Sequence, residues 1–261
     1  MRPIRNGSQY TVGQLSPGDR LPSPPTRSVM NATPQKIHRR IPSDLLRRMS
    51  DIVSDEDRDE MAIPSYLHAN PLMRWMAWRR LEKIAAFVRQ SARETRGGKF
   101  QRIMDFGCGT GVLLDELGRH SEAVVGVDLV LEPARFLVEQ WQLARVDLMS
   151  PESARRDIGD HSLDAIVAAE VLEHIDPLDD TLEFFRSRLR PDGKLFVSVP
   201  TENALYRFGR RLAGFEGHYH ESNARAIHRK IIESGFRADR LSKVPAPGPL
   251  AIYWVAEYSP S

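Results

Sequence analysis

The sequence predicts an α/β protein with a seven-stranded, mostly parallel, doubly wound sheet whose last strand is reversed. Short apolar runs typical of buried strands alternate with segments in which apolar residues recur every three or four positions, as in amphipathic helices. This alternation is typical of a parallel sheet covered on both faces. The last two apolar runs are separated only by a Pro- and Gly-rich turn, too short for a parallel crossover, which indicates antiparallel pairing.

The individual elements follow from the same two patterns. A long amphipathic helix begins at Pro71 and ends before Gly97 and Gly98, because glycine commonly follows the end of a helix. The predicted strands are 102–106, 123–129, 145–148, 163–169, 194–199, 237–243 and 251–258. The predicted helices between them are 112–120, 133–143, 178–189 and 224–234.

The first 60 residues differ in composition from the rest of the chain. Residues 1–50 contain nine basic and two acidic residues, a charge of +7, so the remainder carries −5 in a chain of net charge +2. This segment is rich in Pro, Ser and Gly, and an acidic stretch at 51–60 follows it, a composition typical of disorder. We therefore expect a disordered basic tail and acidic linker at 1–60 and one folded domain at 61–261.

Composition also restricts the compartment and the partners. The single cysteine excludes an internal disulfide and fits a reducing compartment. No stretch reaches the roughly 20 apolar residues of a membrane span. We expect a cytoplasmic protein without integral membrane association, with an organellar transit peptide in the Arg-rich start as the alternative. The negative body charge disfavours nucleic acid as a partner, because nucleic acid requires a basic face.

A glycine-rich loop follows the first predicted strand. Its sequence, Asp-Phe-Gly-Cys-Gly-Thr-Gly, begins at Asp105 and places glycines at Gly107, Gly109 and Gly111. Glycine lets a ligand press against the backbone, and this edge of an open α/β sheet is where ligands bind. Asp128 ends the second strand, where its carboxylate can accept hydrogen bonds from both hydroxyls of a ribose.

The loop also discriminates between two classes of cofactor. The dinucleotide fingerprint is G-x-G-x-x-G, but Val112 stands where its last glycine is required. A pyrophosphate favours an uncharged loop at a helix N-terminus, and Asp105 would repel it. The same carboxylate suits the cationic amino group of a methionine moiety. We therefore expect S-adenosylmethionine rather than NAD.

With these motifs the sequence resembles the Rossmann-like (class I) S-adenosylmethionine-dependent methyltransferase superfamily over residues 62–261. The glycine loop, Asp128, the tripeptide Val-Asp-Leu at 146–148 and the segment Arg-Pro-Asp-Gly-Lys at 190–194 match its succession of motifs. The closest likeness within the superfamily is to the ubiquinone-biosynthesis O-methyltransferases. Leu-His-Ala-Asn-Pro-Leu at 67–72 and Glu-Val-Leu-Glu-His-Ile at 170–175 are similar to segments of those enzymes.

The resemblance implies which residues hold the methionine end of the cofactor. Asp105 and the three loop glycines line that end. Ala169 and Glu170 close the site, and Arg74 on the entry helix contacts the cofactor carboxylate.

The resemblance also implies the contacts of the adenosine end. Asp128 and the following Leu129 lie at the ribose. Asp147 and Leu148, in the third strand, lie at the adenine, with Asp147 accepting from its amino group. The short stretch between Asp128 and Asp147 departs from the superfamily pattern.

Acidic and histidine residues follow the fourth and fifth strands. Glu170, Glu173 and His174 come directly after the fourth strand, and a helix beginning there would place them on one face. His218 and His220 follow the fifth strand, at the same edge of the sheet. Three interpretations stay open for this set. The first is a Mg²⁺ or Mn²⁺ site at Glu170, Glu173, His174 and His220, as in the small-RNA 2′-O-methyltransferases that it resembles. The others are a metal-free base, His174, His220 or His218, and ordinary helix-start structure.

The resulting functional prediction is O-methylation of a small molecule, with a phenol, sugar or lipid-linked acceptor. A sulfonium methyl group is already activated, so positioning supplies most of the acceleration, and a histidine can remove the hydroxyl proton. The alternatives are a metal-dependent RNA 2′-O-methyltransferase and a non-catalytic, cofactor-binding regulatory protein. The basic and aromatic segment 205–215 predicts a lid over the site, with weak membrane-surface contact as its alternative.

Overall fold

The computed structural model of the protein describes residues 36–201, 224–248 and 251–261. Its helices are α1 Ser43–Ser50, α2 Asp55–Glu60, α3 Ile63–Leu67, α4 Pro71–Glu94, α5 Leu114–His120, α6 Glu132–Trp141, α7 Pro151–Asp157, α8 Asp179–Arg188 and α9 Ala224–Glu233. Its strands are β1 Phe100–Phe106, β2 Ser121–Val127, β3 Val146–Met149, β4 Leu163–Ala169, β5 Leu189–Pro200, β6 Phe236–Val244 and β7 Tyr253–Pro260. No helix within these three ranges is long and apolar enough to span a membrane.

The seven strands form one sheet in the order β3-β2-β1-β4-β5-β7-β6. Strands β1 to β5 pair in parallel, and β7 lies antiparallel between β5 and β6. The predicted fold, including the reversed last strand, is therefore confirmed. The chain moves outward from β1 to β3 and then returns to the other side of β1 with β4. This reversal opens a crevice beyond the carboxyl ends of β1 and β4, where open α/β sheets bind ligands.

Each face of the sheet is covered by its own apolar layer. On one face, α4, α5 and α6 bury Leu81, Ile84, Leu117 and Leu137 against inward residues of the central strands. On the other face, α7, α8 and α9 bury their apolar residues against Met104, Ile166 and Val197. Burial on both faces explains why the central strands are almost continuously apolar.

Residues 36–50, here called the N-terminal strap, pack against the first of these faces. Helix α1 lies within the strap, and α2 follows it in the acidic stretch. The buried apolar side chains of the strap are Ile37, Ile41, Leu45, Leu46 and Met49. The disorder predicted for residues 36–60 is therefore wrong, and the folded domain begins before residue 61. The rest of the predicted tail, 1–35, lies outside the described residues.

The basic residues of the strap explain this error. Arg40 lies over the Trp78 ring of α4 with its guanidinium carbon 5.1 Å from the ring centroid. Arg39 lies over Trp141 at 4.1 Å, and Arg48 lies over the Phe136 ring at 4.7 Å, both on α6. Guanidinium groups are attracted to aromatic faces within about 6 Å. By composition, these arginines suggest a solvated tail. In the structure they attach the strap to aromatic rings that are far away in the sequence.

Candidate functional site

The glycine loop lies at the reversal point of the sheet, directly after β1. Gly107 has a left-handed backbone conformation, φ +75°. A Cβ built on Gly107 would lie 2.6 Å from a methyl carbon of Val171, which follows β4. Glycine is therefore required here both for the backbone conformation and for the close approach of the two strand ends.

Asp105 is a buried carboxyl group of the crevice, and its pKa is strongly raised. It is the penultimate residue of β1 and is only 2% exposed. Burial raises the pKa of Asp105 to about 7, and the nearby carboxylate of Asp128 adds to the rise. A cationic ligand group beside Asp105 would lower this pKa again, because an opposite charge favours the ionised form. The group thus fits the ammonium of a methionine moiety.

Asp128 connects the end of β2 to the glycine loop. One of its carboxylate oxygens accepts a hydrogen bond from the Gly109 amide at 2.7 Å, and the other accepts one from the Val130 amide at 3.2 Å. Burial raises the pKa of Asp128, and these backbone donors oppose the rise. A carboxylate offers about four lone-pair sites, and the Leu129 amide also donates to Asp128, so the carboxylate retains acceptor capacity for a ligand hydroxyl.

The surroundings of Asp128 leave room for an adenosine. A Cβ on Gly109 would meet, among the described residues, only the side chain of Met61, at 3.8 Å. Leu129, the next residue after Asp128, is 86% exposed, which is unusual for a large apolar side chain placed in a crevice. An open glycine cradle, a carboxylate with free acceptor capacity and an uncovered leucine together fit a nucleoside.

The two residues expected at the adenine lie in β3, before the position that is level with Asp128. Val127 is in register with Met149, so residue 150 rather than 147 is level with Asp128. Asp147 is in register with Val125 and is exposed. The Leu148 side chain packs towards Gly126, where an added Cβ would lie 2.7 Å from it. The backbones of Asp147 and Leu148 thus lie three and two residues before the position that is level with Asp128, and their contact with the adenine stays a prediction.

Glu170 lies at the crevice but not in the conformation that the sequence predicts. It follows Ala169, the last residue of β4, and has a left-handed backbone with φ +57°. Its carboxylate forms an ion pair with the Nε of Arg80, a residue of α4 whose side chain is 4% exposed. Its amide donates to the Ser198 carbonyl of β5 at 2.9 Å. The helix expected to begin at Glu170 does not form there.

The chain after Glu170 forms only a short 3₁₀ turn, Leu172–His174. Glu173 and His174 therefore do not share a helix face with Glu170. His218 and His220, and the segment 205–215, lie outside the described residues. Within the described part of the chain, no three His, Cys, Asp or Glu side chains converge as metal ligands would.

Arg74 lines a cavity at the N-terminal end of α4. Its guanidinium donates to the backbone carbonyls of His68 and Ala69. The cavity has a volume of about 350 Å³, and strap residues form one wall. The aromatic residues that line it are Tyr66, Trp75 and Trp78. Tyr66 also accepts a hydrogen bond from Arg80 at 3.4 Å, so this cavity and the Arg80–Glu170 ion pair share one side chain.

Arg80 and Tyr66 are the site residues that the sequence analysis missed. Arg80 comes three residues after Ala77 and four before Ile84, so it falls within the apolar stripe of α4. An arginine at such a position must find a partner, because a buried unpaired charge is very costly. The position of Arg80 in this apolar stripe therefore indicates that it has a buried partner. The sequence of α4 alone does not show that the partner is Glu170.

The geometry at Asp128 leads to a first prediction. Asp128→Ala should weaken the binding of S-adenosylmethionine by about 1–3 kcal/mol, because a ribose hydroxyl loses its acceptor. Isothermal titration calorimetry on the folded variant measures this loss. Asp192→Ala is the matched control, since it removes an exposed carboxylate near the start of β5, at the opposite edge of the sheet. Equal losses in both variants would contradict the ribose assignment.

A family model described as a methyltransferase domain matches residues 40–241. Among curated proteins, a 116-residue segment is 30% identical to the mitochondrial ubiquinone biosynthesis O-methyltransferase of Mus musculus, covering 40% of this chain and 30% of that protein. A 112-residue segment is 32% identical to the ubiquinone biosynthesis O-methyltransferase of Aeromonas salmonicida, covering 41% of this chain and 47% of that protein. The matched segments thus span less than half the length of these relatives.

Solved structures with the same fold include magnesium protoporphyrin IX methyltransferase from Synechocystis PCC 6803 with bound S-adenosylhomocysteine. It has a TM-score of 0.59 and 15% identity, and the match covers 84% of this chain and all of that one. The 1,6-didemethyltoxoflavin-N1-methyltransferase of Burkholderia thailandensis has a TM-score of 0.55 and 18% identity, with coverage of 80% and 92%. The family match extends over most of the chain, and the glycine loop and Asp128 fit the family's cofactor. The chain therefore belongs to the methyltransferase domain family, and its fold is that of the class I S-adenosylmethionine-dependent methyltransferases.

Proposed function

We propose that this methyltransferase transfers the methyl group to a hydroxyl oxygen of a small molecule, and that a phenolic ring is the acceptor class. The observation that carries the proposal is the cavity beside α4. Its volume of about 350 Å³ is large enough for a small molecule. Its aromatic walls, Tyr66, Trp75 and Trp78, suit a planar ring. The similarity to ubiquinone biosynthesis O-methyltransferases supports the choice of oxygen.

The residues that would hold the cofactor are those of the glycine loop together with Asp105, Asp128 and Leu129. When bound, the cofactor supplies a methyl group on a cationic sulfur. Asp105 would hold the cofactor's amino group, and Asp128 the ribose. Leu129 would cover the adenine with its exposed side chain. The exclusion of water by these contacts and correct orientation contribute most of the rate enhancement.

A hydroxyl acceptor must also lose its proton, and among the described histidines we assign its removal to His174. It follows β4 at the same edge of the sheet as Glu170. Loss of water around the ring lowers the pKa of His174 below its usual value, so the imidazole is neutral at pH 7. A neutral imidazole can accept the proton as the new carbon–oxygen bond forms and the carbon–sulfur bond breaks.

The experiment that tests the acceptor uses S-adenosylmethionine with a labelled methyl group. Catechol, a simple sugar and aniline are supplied as separate acceptors, and the products are identified by mass spectrometry. We expect label on the catechol oxygen and not on the aniline nitrogen. Label on the amine alone, or on added RNA alone, would contradict the proposal.

The pH profile gives a second prediction for the same reaction. The transfer rate should rise with pH through an apparent pKa below the roughly 6.5 of free imidazole, because only neutral His174 accepts a proton. His174→Gln should remove this rising limb. His161→Gln, which changes a histidine before β4 at the opposite edge of the sheet, is the control and should keep it. An unchanged limb in His174→Gln would show that another group removes the proton.

We further propose that the enzyme acts in the cytoplasm, on the basis of its single cysteine, Cys108, which is buried. The relative from Mus musculus is named as mitochondrial, so the two compartments have to be distinguished directly. Microscopy of the full chain with a C-terminal fluorescent tag does so. A mitochondrial signal would contradict the proposal.

A further inference from the structure

The guanidinium of Arg80 is held by contacts on every side. Its Nε forms the ion pair with Glu170, and its two terminal nitrogens donate to the Ala77 carbonyl at 2.9 Å and to the Tyr66 hydroxyl at 3.4 Å. The ring centroids of Tyr66 and Tyr253 lie 5.6 Å and 5.4 Å from its central carbon. The residue is 3% exposed. Arg80 is therefore a fixed positive charge and not a mobile surface cation.

Glu170, by contrast, combines a constrained backbone with an accessible side chain. A left-handed conformation is costly for a residue with a Cβ and persists only where the surroundings enforce it. The Ser198 carbonyl holds its amide, and Arg80 holds its carboxylate. The side chain nevertheless keeps 20% of its surface exposed. Arg80 thus fixes one oxygen of the Glu170 carboxylate, while part of the Glu170 side chain remains accessible at the crevice.

A divalent ion does not fit this arrangement. A metal at the Glu170 oxygen that Arg80 contacts would have to displace the Arg80 guanidinium, which would leave a buried positive charge without a counterion. The donor types of a metal site are present in the sequence, but among the described residues the contacted oxygen of Glu170 already has a buried cationic partner.

We propose that the Arg80 guanidinium is the fixed cation of the transfer site, in the position where a divalent ion would neutralise Glu170, and that methyl transfer by this chain is independent of metal. Arg80 and Glu170 are then positioning residues. Arg80 orients Glu170, and Glu170 orients the bound reactants. The role of the pair in methyl transfer rests on the proposed function, whereas the occupation of the cation position by Arg80 can be tested without it.

Manganese binding tests the cation position directly. The probe is Mn²⁺ added to the full chain without cofactor or acceptor, with the free ion measured by electron paramagnetic resonance. Wild-type protein should show no stoichiometric binding. Arg80→Met should bind Mn²⁺ at least about tenfold more tightly, the order of effect that partners of a metal site have on affinity. The double variant with Glu170→Gln added should lose this gain.

Two further variants make the test specific. Arg79→Met removes the neighbouring arginine, which pairs with Glu82, and should bind no more Mn²⁺ than wild type. Arg80→Lys keeps the charge but not the planar set of contacts, so it should still exclude Mn²⁺ while transferring methyl more slowly. If Arg80→Met does not fold, Mn²⁺ binding is measured on wild type and Arg80→Lys instead. Stoichiometric binding of Mn²⁺ by either protein would overturn the proposal.

The activity measurement separates this inference from the proposed function. Wild-type enzyme treated with a chelator should keep its transfer rate within about a factor of two, which is below the tenfold loss typical of a missing metal partner. One bound Mn²⁺ per wild-type chain that is lost in Glu170→Gln, with activity lost in chelator and restored by Mg²⁺, would overturn it. Failure to methylate any phenol would contradict the proposed acceptor and leave the manganese result unaffected.

Discussion

Replacing Asp105 by Asn should raise the melting temperature of the cofactor-free protein at pH 8. A buried carboxyl group with a raised pKa contributes stability below its unfolded-state pKa of 3.8 and loses that contribution as pH rises through about 7. At pH 8 the ionised form therefore opposes folding by up to about 4 kcal/mol, at 1.36 kcal/mol per pKa unit. Asn carries no charge and avoids this cost, so we expect a gain of several degrees.

The pH dependence of that gain distinguishes it from other effects of the substitution. Between pH 8 and pH 5 the advantage of Asp105→Asn should shrink by about 3 kcal/mol, because wild-type Asp105 takes up its proton in that range. Thermal unfolding of both proteins at the two pH values measures it. A variant that is destabilised equally at both values would show that the carboxylate is favourably paired in the free protein.

The same substitution should impair cofactor binding. We propose that ionised Asp105 holds the cationic amino group of the cofactor, so binding requires loss of the proton that Asp105 carries below pH 7. The affinity of wild-type protein for S-adenosylmethionine should rise with pH by up to about tenfold per unit until pH 7. Asp105→Asn should bind more weakly at pH 8 and show no such rise. Calorimetry at several pH values tests both expectations.

A second large effect is expected in the N-terminal strap. Leu46→Ala should lower the free energy of unfolding by about 2–5 kcal/mol, because it leaves a cavity where a fully buried leucine packs. Leu46 is 1% exposed. In a domain of this size the melting temperature should fall by roughly 4–20 °C. Thermal unfolding followed by circular dichroism measures the change.

Arg47→Ala is the matched control for the strap. Arg47 is adjacent to Leu46 on α1 but is exposed, so its removal should change stability by no more than about 0.5 kcal/mol. If Leu46→Ala were as mild as the control, residues 36–50 would behave as the disordered tail that their composition predicts. The strap lies over α6, which follows Asp128, so Leu46→Ala should also weaken cofactor binding.

Local sequence patterns alone determine most of the fold and the cofactor loop. The alternation of apolar strands and amphipathic helices predicts the parallel sheet, and the short turn before β7 predicts the reversal. Asp105, the loop glycines and Asp128 are predicted together because strand ends meet at one edge of a parallel sheet. Each of these inferences depends on residues close to one another in the chain, or on a general rule of α/β topology.

Only the tertiary structure decides the contacts between distant residues. Arg80 and Glu170 are 90 positions apart, and they meet because β4 inserts beside β1 over the helix that precedes β1. The register of β3 against β2 places residue 150 rather than Asp147 level with Asp128. The strap is ordered because its arginines and leucines find partners on α4 and α6. Composition does not predict these contacts. The leucines of the strap are buried, and its arginines lie over aromatic rings, only because other parts of the chain supply these surfaces.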